Sequence, residues 1–455
     1  MSTGTWETMS KANPGAGAPA FSSDQNRWLE ASLAQLDRNA MCELVAGMVS
    51  IPSPTGEERV LAEHLAQRLK RNGLDGACQV IDAAQANAIG RYRGSGGGAD
   101  LMLYAPIDTH LTGVPEEDLP WAGPSIRPDL KPEATLADGL VIGLCAENPK
   151  GFAACVISAA EAVARAGVPL RGDLLVGLGA GGMPTNTRPV LGRQNTGQGN
   201  GCSFMLEQGF RSDFAVIAKG GWAVAWEEVG LSWFRIRVHG DLGYTGLRRR
   251  LNNRNPIVLV TKLIEGLEAW FPEYTRANTS GLVEPEGSIG AIEGGWTYKP
   301  TFIPAACDVY LDLRLSPRTD PMAARAQLLA ALDRIKAANP GLELSCEMLL
   351  AVPGASTPQD NWIIRSGIRA WEAVAGQTHV PRTGTSGATD ANILRGRGIP
   401  TARIGIPPPK RPVPYAGTFS MGVVELDGMM ELTQCLVRIV IDTCTRERSE
   451  LGLAH

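Results

Sequence analysis

Two kinds of apolar pattern divide the chain. Leu101–Ala105, Leu174–Leu178 and Phe214–Ala218 are nearly unbroken apolar runs of five residues. Such runs predict strands covered on both faces, as in a mostly parallel sheet between helices. Elsewhere Phe234, Ile236 and Val238 alternate with Arg235, Arg237 and His239. In the same way Cys307, Val309, Leu311, Leu313 and Leu315 alternate with Asp308, Tyr310, Asp312 and Arg314. A period of two with one polar face predicts antiparallel strands with one wet side. Helical patterns occupy 151–166, 320–337, 361–375 and 421–445, the second opened by Asp320 as N-cap and Pro321 at the first helical position. The fold class predicted is α/β, a mostly parallel sheet sandwiched by helices, with an inserted α+β domain carrying an antiparallel sheet. The boundaries predicted are a flexible tail over 1–24, a catalytic-type α/β domain over 25–230, a lid over 231–345 and a return to the first domain over 346–455.

Charge and cysteine content narrow the partners. Across 455 residues, 43 Lys+Arg stand against 47 Asp+Glu, so net charge −4 gives no basic surplus for nucleic acid or an anionic membrane. No apolar run is long enough to span a bilayer, and the N-terminus lacks a basic start followed by an apolar stretch. Nine scattered cysteines without a C-x-x-C pair read as reduced thiols, and the location expected is cytoplasmic. No histidine is adjacent in sequence to Cys145 or Cys202, so neither reads as an activated nucleophile. Asp108 and His110, with Glu147 or Cys145, form the one grouping that reads as a possible single-metal site.

A series of short motifs then follows in order: Ser50-Ile-Pro-Ser-Pro-Thr-Gly-Glu57, Pro106-Ile-Asp108, Gly143-Leu-Cys-Ala-Glu-Asn148-Pro-Lys150-Gly151, Gly179-Ala-Gly-Gly-Met183, Ile217-Ala-Lys219-Gly-Gly221, Asp312-Leu-Arg314 and Gly384-Thr-Ser-Gly-Ala-Thr-Asp390. Order and spacing together resemble the two-zinc amidohydrolases and peptidases that include carboxypeptidase G, aminoacylase, acetylornithine deacetylase and succinyl-diaminopimelate desuccinylase. The resemblance runs from Ser50 to about Asp427. It implies a catalytic α/β domain interrupted by a lid that carries a homodimer contact, and a pair of bridged zinc ions. Catalytic zinc needs about three His, Asp or Glu ligands per ion and an open position for water. Position by position, the resemblance places Pro106 where a His is expected, with Asp108 kept. Asn148 stands at the bridging carboxylate, Gly179–Met183 at the paired glutamates and Lys219 at a further acid. Gly417-Thr-Phe-Ser420 holds no ligand His. The chain has five histidines in all. The expectation is therefore no bound metal and no other cofactor.

What the resemblance keeps is the grip on an anionic substrate: Arg314, Thr301 at an Asn position, and Ser386 and Gly387 in the glycine-rich loop. Tyr244 stands where the family has a His that polarises the scissile carbonyl, and a phenol still donates one hydrogen bond. Asp108, Lys150, Lys219 and Tyr244 are the catalytic candidates. Lys150 also reads as a helix-start contact, and Lys219 as the partner of Glu227 or Glu228. Ser386 also reads as a turn residue bonded to backbone. The function expected is metal-independent hydrolysis of an amide or cyclic amide C–N bond in a small carboxylate-bearing molecule. The alternatives are a non-catalytic ligand-binding protein, a lysine-dependent lyase or isomerase, and a hydrolase with a rebuilt single-metal site.

Overall fold

The computed structural model describes residues 20–186 and 192–454. Most of the expected tail lies outside these residues, but its last positions are ordered. Ser22 caps the helix Ser23–Leu33, accepting from the Gln25 N–H while the Gln25 side chain accepts from the Ser22 N–H. This reciprocal cap starts a helix two residues inside the segment expected to be tail.

The chain forms two compact units. The first comprises the residues up to Trp226, Thr357–Pro381 and the chain from Thr389 onward. Its seven-stranded sheet runs in the order Ala77–Val80, Ala86–Tyr92, Leu174–Gly179, Leu101–Pro106, Phe214–Ala218, Thr401–Ile404, Val224–Ala225. The four strands from Leu174–Gly179 to Thr401–Ile404 are parallel, and the flanking pairs are antiparallel. Every residue of the three apolar runs is buried, so the doubly covered sheet read from the pattern is the one observed. Helices Lys150–Arg165 and Leu426–Cys444 supply much of this cover, with 13 and 14 buried residues. Small side chains at Ala153, Ala154, Ala159 and Ala160 let the first of these helices approach its neighbours closely.

The second unit comprises Glu227–Ser356 and Arg382–Ala388. It holds an antiparallel sheet ordered Gly287–Gly294, Ala306–Leu315, Gly230–His239, Glu343–Val352. Phe234, Ile236, Val238, Val309, Leu311 and Leu313 pack with the apolar stripes of helices Pro256–Asn278 and Pro321–Ala338. Asp320 caps the latter by accepting from the Met322 N–H. On the wet face Arg237 makes a two-pronged pair with Asp308 at 2.7 Å per contact, and Tyr310 donates to Glu293 at 3.2 Å.

Candidate active site

Parallel strands place the residues that follow them at one edge, and in open α/β sheets that carboxyl edge is where ligands bind. Three neighbouring strands of the first unit end here in chemically informative loops. Leu101–Pro106 leads to Asp108, Leu174–Gly179 to Gly181–Met183, and Phe214–Ala218 to Lys219.

Asp108 is fully buried and ringed by donors. Its Oδ1 accepts from the Gly182 N–H at 2.9 Å, and its Oδ2 from the Met183 N–H at 2.9 Å and the Thr55 hydroxyl at 2.7 Å. The Thr55 hydroxyl in turn receives the Thr185 hydroxyl at 2.6 Å. Burial raises the Asp108 carboxyl above its ordinary value, while the Thr55 hydroxyl, the two main-chain N–H groups and the Lys219 charge pull it back. Lys219 is 6% exposed, and its main-chain N–H is tied to the Ile404 carbonyl at 3.1 Å. Gly182 is required where it stands: a Cβ there would lie 2.3 Å from the Pro106 Cβ and 2.8 Å from Asp390 Oδ2. The Asp390 carboxylate accepts the buried Tyr104 hydroxyl at 2.5 Å.

The cluster contains an acid that the sequence reading passed over. Glu58 is fully buried; its Oε1 accepts from the Gly56 N–H at 2.8 Å and the Gly181 N–H at 2.9 Å. Its Oε2 has no hydrogen-bond partner among the described residues. Burial first, and then the Asp108 charge, push this carboxyl up to about 8, so it is protonated at neutral pH. Glu58 and Asp108 are 50 residues apart, each in a loop, and no local periodicity links them.

The remaining candidates of this unit lie around the turn between the strand Leu140–Ile142 and the helix Lys150–Arg165. Lys150 does not present its amine as a free cation. Its Nζ donates to the carbonyls of Met48 at 2.8 Å and Ile51 at 3.0 Å, closing the end of the helix Arg38–Val49. Burial lowers this amine to about 8. These bonds match the alternative reading of Lys150 as a helix-end contact, and a catalytic role for it is a proposal. Cys145, for its part, does have a histidine beside it, since His110 Nδ1 is 3.3 Å from its sulfur. The two are 35 residues apart in sequence, which hid the pair.

In the second unit Tyr244 is half-exposed, in a short strand paired with Phe302–Ile303, and its ring leans on Phe302 at 5.7 Å. The Thr301 carbonyl accepts both the N–H and the hydroxyl of Thr245 at 3.0 Å. Arg314 meets an acid on its own strand face: its Nε is 2.9 Å and its Nη2 3.2 Å from the Asp312 carboxylate. Ser386 Oγ accepts the Glu286 N–H at 3.1 Å, and the space beside the Gly387 Cα is open. Glu227, an expected partner of Lys219, is occupied by Arg318 at 2.6 Å and by the Leu282 N–H.

The donor set does not fit a bridged pair of dications. Of the positions that the resemblance assigns to ligands, only Asp108 keeps a carboxylate, and both its oxygens are already filled by N–H and O–H donors. An ammonium group at Lys219 would repel a second positive charge. Of the four side chains read as a single-metal grouping, His110 and Cys145 are in contact. Among the described residues no group of three or more His, Cys, Asp or Glu side chains is arranged to hold an ion.

With this geometry in hand, comparison with known proteins shows which fold the chain carries. Residues 227–340 match the family model of the M20 peptidase dimerisation domain. The di-peptidase Dug1p of Saccharomyces cerevisiae superposes with a TM-score of 0.69 at 10% identity, over 92% of this chain and 99% of its own. A hydantoinase/carbamoylase family amidase from Burkholderia ambifaria gives 0.56 at 15% identity, over 93% and 99%. The YXEP protein of Bacillus subtilis, a dinuclear metal binding peptidase from the M20 family, gives 0.56 at 14%, over 89% and 99%. The resemblance read from the motifs therefore stands: the chain carries the fold of the M20 peptidases and amidohydrolases, with their dimerisation segment at 227–340.

Proposed function

We propose that this protein hydrolyses an amide-type C–N bond in a small carboxylate-bearing molecule without a bridged zinc pair. The observation that carries this reading is the exchange at the carboxyl edge of the first unit. There Lys219 and Asp108 are both buried, and the lysine's charge acts on the carboxyl, at positions where the resemblance calls for two acidic ligands. Hydrolysis needs a positive environment for the developing oxyanion and a route for the proton from water to the departing nitrogen. Lys219 supplies a buried cation in place of a Lewis acid, and its charge reaches Asp108. The roles given to Tyr244, Thr301, Arg314, Ser386 and Gly387 rest on the resemblance and belong to the same proposal. Arg314 turns its Nε and Nη2 to Asp312, and among the described residues its Nη1 has no bonded partner, leaving it for an anion. A homodimer formed through the second unit and a cytoplasmic location complete it.

The test is turnover of a panel of N-acyl amino acids, N-carbamoyl amino acids, cyclic amides and dipeptides by exhaustively chelated protein. Turnover unaffected by chelation, and reduced at least 100-fold in Lys219→Met, is expected. Turnover that appears only after zinc is restored would overturn the metal-independent reading. Calorimetric binding of panel members with no product formed would favour a ligand-binding protein on the same fold, since every Asp108 lone pair facing a donor is already engaged.

A further inference from the structure

Arg438 interrupts an otherwise apolar run. In the helix Leu426–Cys444 it stands within Cys435-Leu-Val-Arg438-Ile-Val-Ile441, and the six other residues of that run are all buried. Placing a guanidinium there costs free energy unless a partner compensates it. Among the described residues the Arg438 side chain makes no hydrogen bond and no ion pair, and its Nε is buried. The acid one turn further on, Asp442, is already engaged. Its Oδ2 accepts the Ser366 hydroxyl at 2.7 Å and Arg369 Nη2 at 2.6 Å, and its Oδ1 accepts Arg446 Nη2 at 3.1 Å. Arg369 in turn keeps a buried Nη1 without a partner among the described residues.

Both guanidiniums line one cavity of about 250 Å³. Its other walls come from the helix Trp362–Ala375 and from the residues just ahead of the helix Ser23–Leu33. Arg369 and Arg438 form a charged side, Phe21 and Ala370 an apolar one, and the exposed Ala20 and Ala373 stand at the mouth. A cavity of about 150 Å³ takes up benzene, so this one has room for a ring and a small charged group. The Trp362 ring lies 5.0 Å from the Arg369 guanidinium and 5.4 Å from that of Arg446, and steadies both. Arg446 also reaches Glu450 at 3.4 Å, so three guanidiniums share two carboxylates and one positive charge is left over. The cavity belongs to the first unit, and none of its lining residues is among those at the carboxyl edge.

We infer that this cavity binds a small monoanionic carboxylate carrying an apolar ring or short chain, at a site separate from the one at the carboxyl edge. The leftover positive charge matches a single negative one. The forked N–H groups of a guanidinium match the two oxygens of a carboxylate, and Arg438 has no acid to release before turning to it. Phe21 and Ala370 favour hydrocarbon beside the charge and disfavour an anion that is hydrated all round, such as inorganic phosphate. Binding is non-covalent, and no proton moves, because the guanidinium stays charged at every working pH.

Isothermal titration of the full-length protein with benzoate tests the site, and one saturable site per chain is expected. Arg438→Met should weaken benzoate about 10-fold or more through the loss of a charged hydrogen-bond donor. Its side chain has no partner to lose, so this variant is expected to fold. Ala373→Trp narrows the mouth from an exposed position and should weaken benzoate as well without altering any charge. Inorganic phosphate and benzyl alcohol should each bind about 10-fold more weakly than benzoate, since one lacks the apolar group and the other the charge. No saturable benzoate binding, or wild-type affinity in Arg438→Met or Ala373→Trp, would overturn the site. Phosphate held as tightly as benzoate would overturn the apolar half of the ligand's description. Benzoate binding lost in Arg314→Met but kept in Arg438→Met would put the probe at the proposed substrate grip, and that result too would overturn the inference.

Discussion

At the scale of single residues the cluster is a balance of buried charges. Asp108 is tolerated inside the protein because three donors bond it and the Lys219 charge acts on it. Removing only the ammonium leaves the carboxylate with its three donors but without that opposite charge. Lys219→Met should therefore cost on the order of 1 kcal/mol of stability in denaturant titrations at pH 7. Adding Asp108→Asn should return part of that loss, and a double variant no more stable than Lys219→Met would speak against the coupling. Glu58 gives a pH-dependent counterpart. Its carboxyl titrates near 8 in the folded protein and in the ordinary range when unfolded. The stabilisation from holding this proton is complete below the ordinary carboxyl value and is lost as pH rises toward 8. Glu58→Gln keeps an acceptor for Gly56 and Gly181 and has no proton to lose. Its stability relative to wild type should improve by up to about 1.4 kcal/mol per pH unit across that window. Equal pH dependence of the two proteins between pH 5 and 8 would contradict the assignment. Asp108 and Lys219 drew notice because the family resemblance implies metal ligands at their positions, each just after an apolar run. Glu58 did not, because a carboxylate in a Thr-Gly-Glu-Glu loop looks solvated until the 181–183 loop is seen to cover it.

At the scale of elements, apolar pattern and caps carried most of the information. Doubly buried strands, the alternating strands and the Asp320 cap all follow from local rules, and each is observed where those rules place it. The two-residue strand Val224–Ala225 is too short for any periodicity and forms only because Thr401–Ile404 offers it an edge. The turn Gly143–Lys150 was legible as a motif, but its use of Lys150 was not. An amine three residues after a proposed ligand site looks like a cleft cation, whereas its length lets it reach the carbonyls that end another helix. Lys150→Met should take the Lys150 donor from the Ile51 carbonyl and leave the Met48 carbonyl only its main-chain donors, at a cost of about 2 kcal/mol at pH 7. Folded Lys150 releases its proton near 8, well below the ordinary amine value. Above pH 8 the unfolded chain keeps a proton that the folded one lets go, so wild-type stability relative to the variant should rise between pH 8 and 10. A difference that is flat across that range would show that the amine is not titrating in place.

At the scale of the whole molecule, the two units differ in how their sequence is distributed. The strand Gly287–Gly294 lies at one edge of the second unit's sheet, with Ile292 54% exposed. An unpaired edge of this kind is a template for another chain. If the dimerisation segment acts as its name says, sedimentation should give twice the chain mass for wild type, and a charged Ile292→Lys edge should shift the population toward monomer. A wild-type monomer at micromolar concentration would exclude the homodimer. Fold class and the interruption of one domain by another were readable because both patterns recur over many residues. The pairings that shape the cluster, Thr55 with Asp108 and Tyr104 with Asp390, join positions 53 and 286 residues apart and carry no local signal.

The order of strands in the first unit also bears on how the protein is made. Thr401–Ile404 sits between Phe214–Ala218 and Val224–Ala225 in the sheet, yet nearly 180 residues of chain are synthesised between them. Arg448 pairs with Asp213 and Gln25 with Thr445, so closing this unit waits for residues synthesised more than 200 positions after Asp213. Most of the second unit is one continuous stretch and can acquire its core while the first still waits for its missing strand. Until then the exposed flank of Phe214–Ala218 is an open seam, and a nascent chain stalled short of residue 400 should be the form that chaperones hold and proteases find.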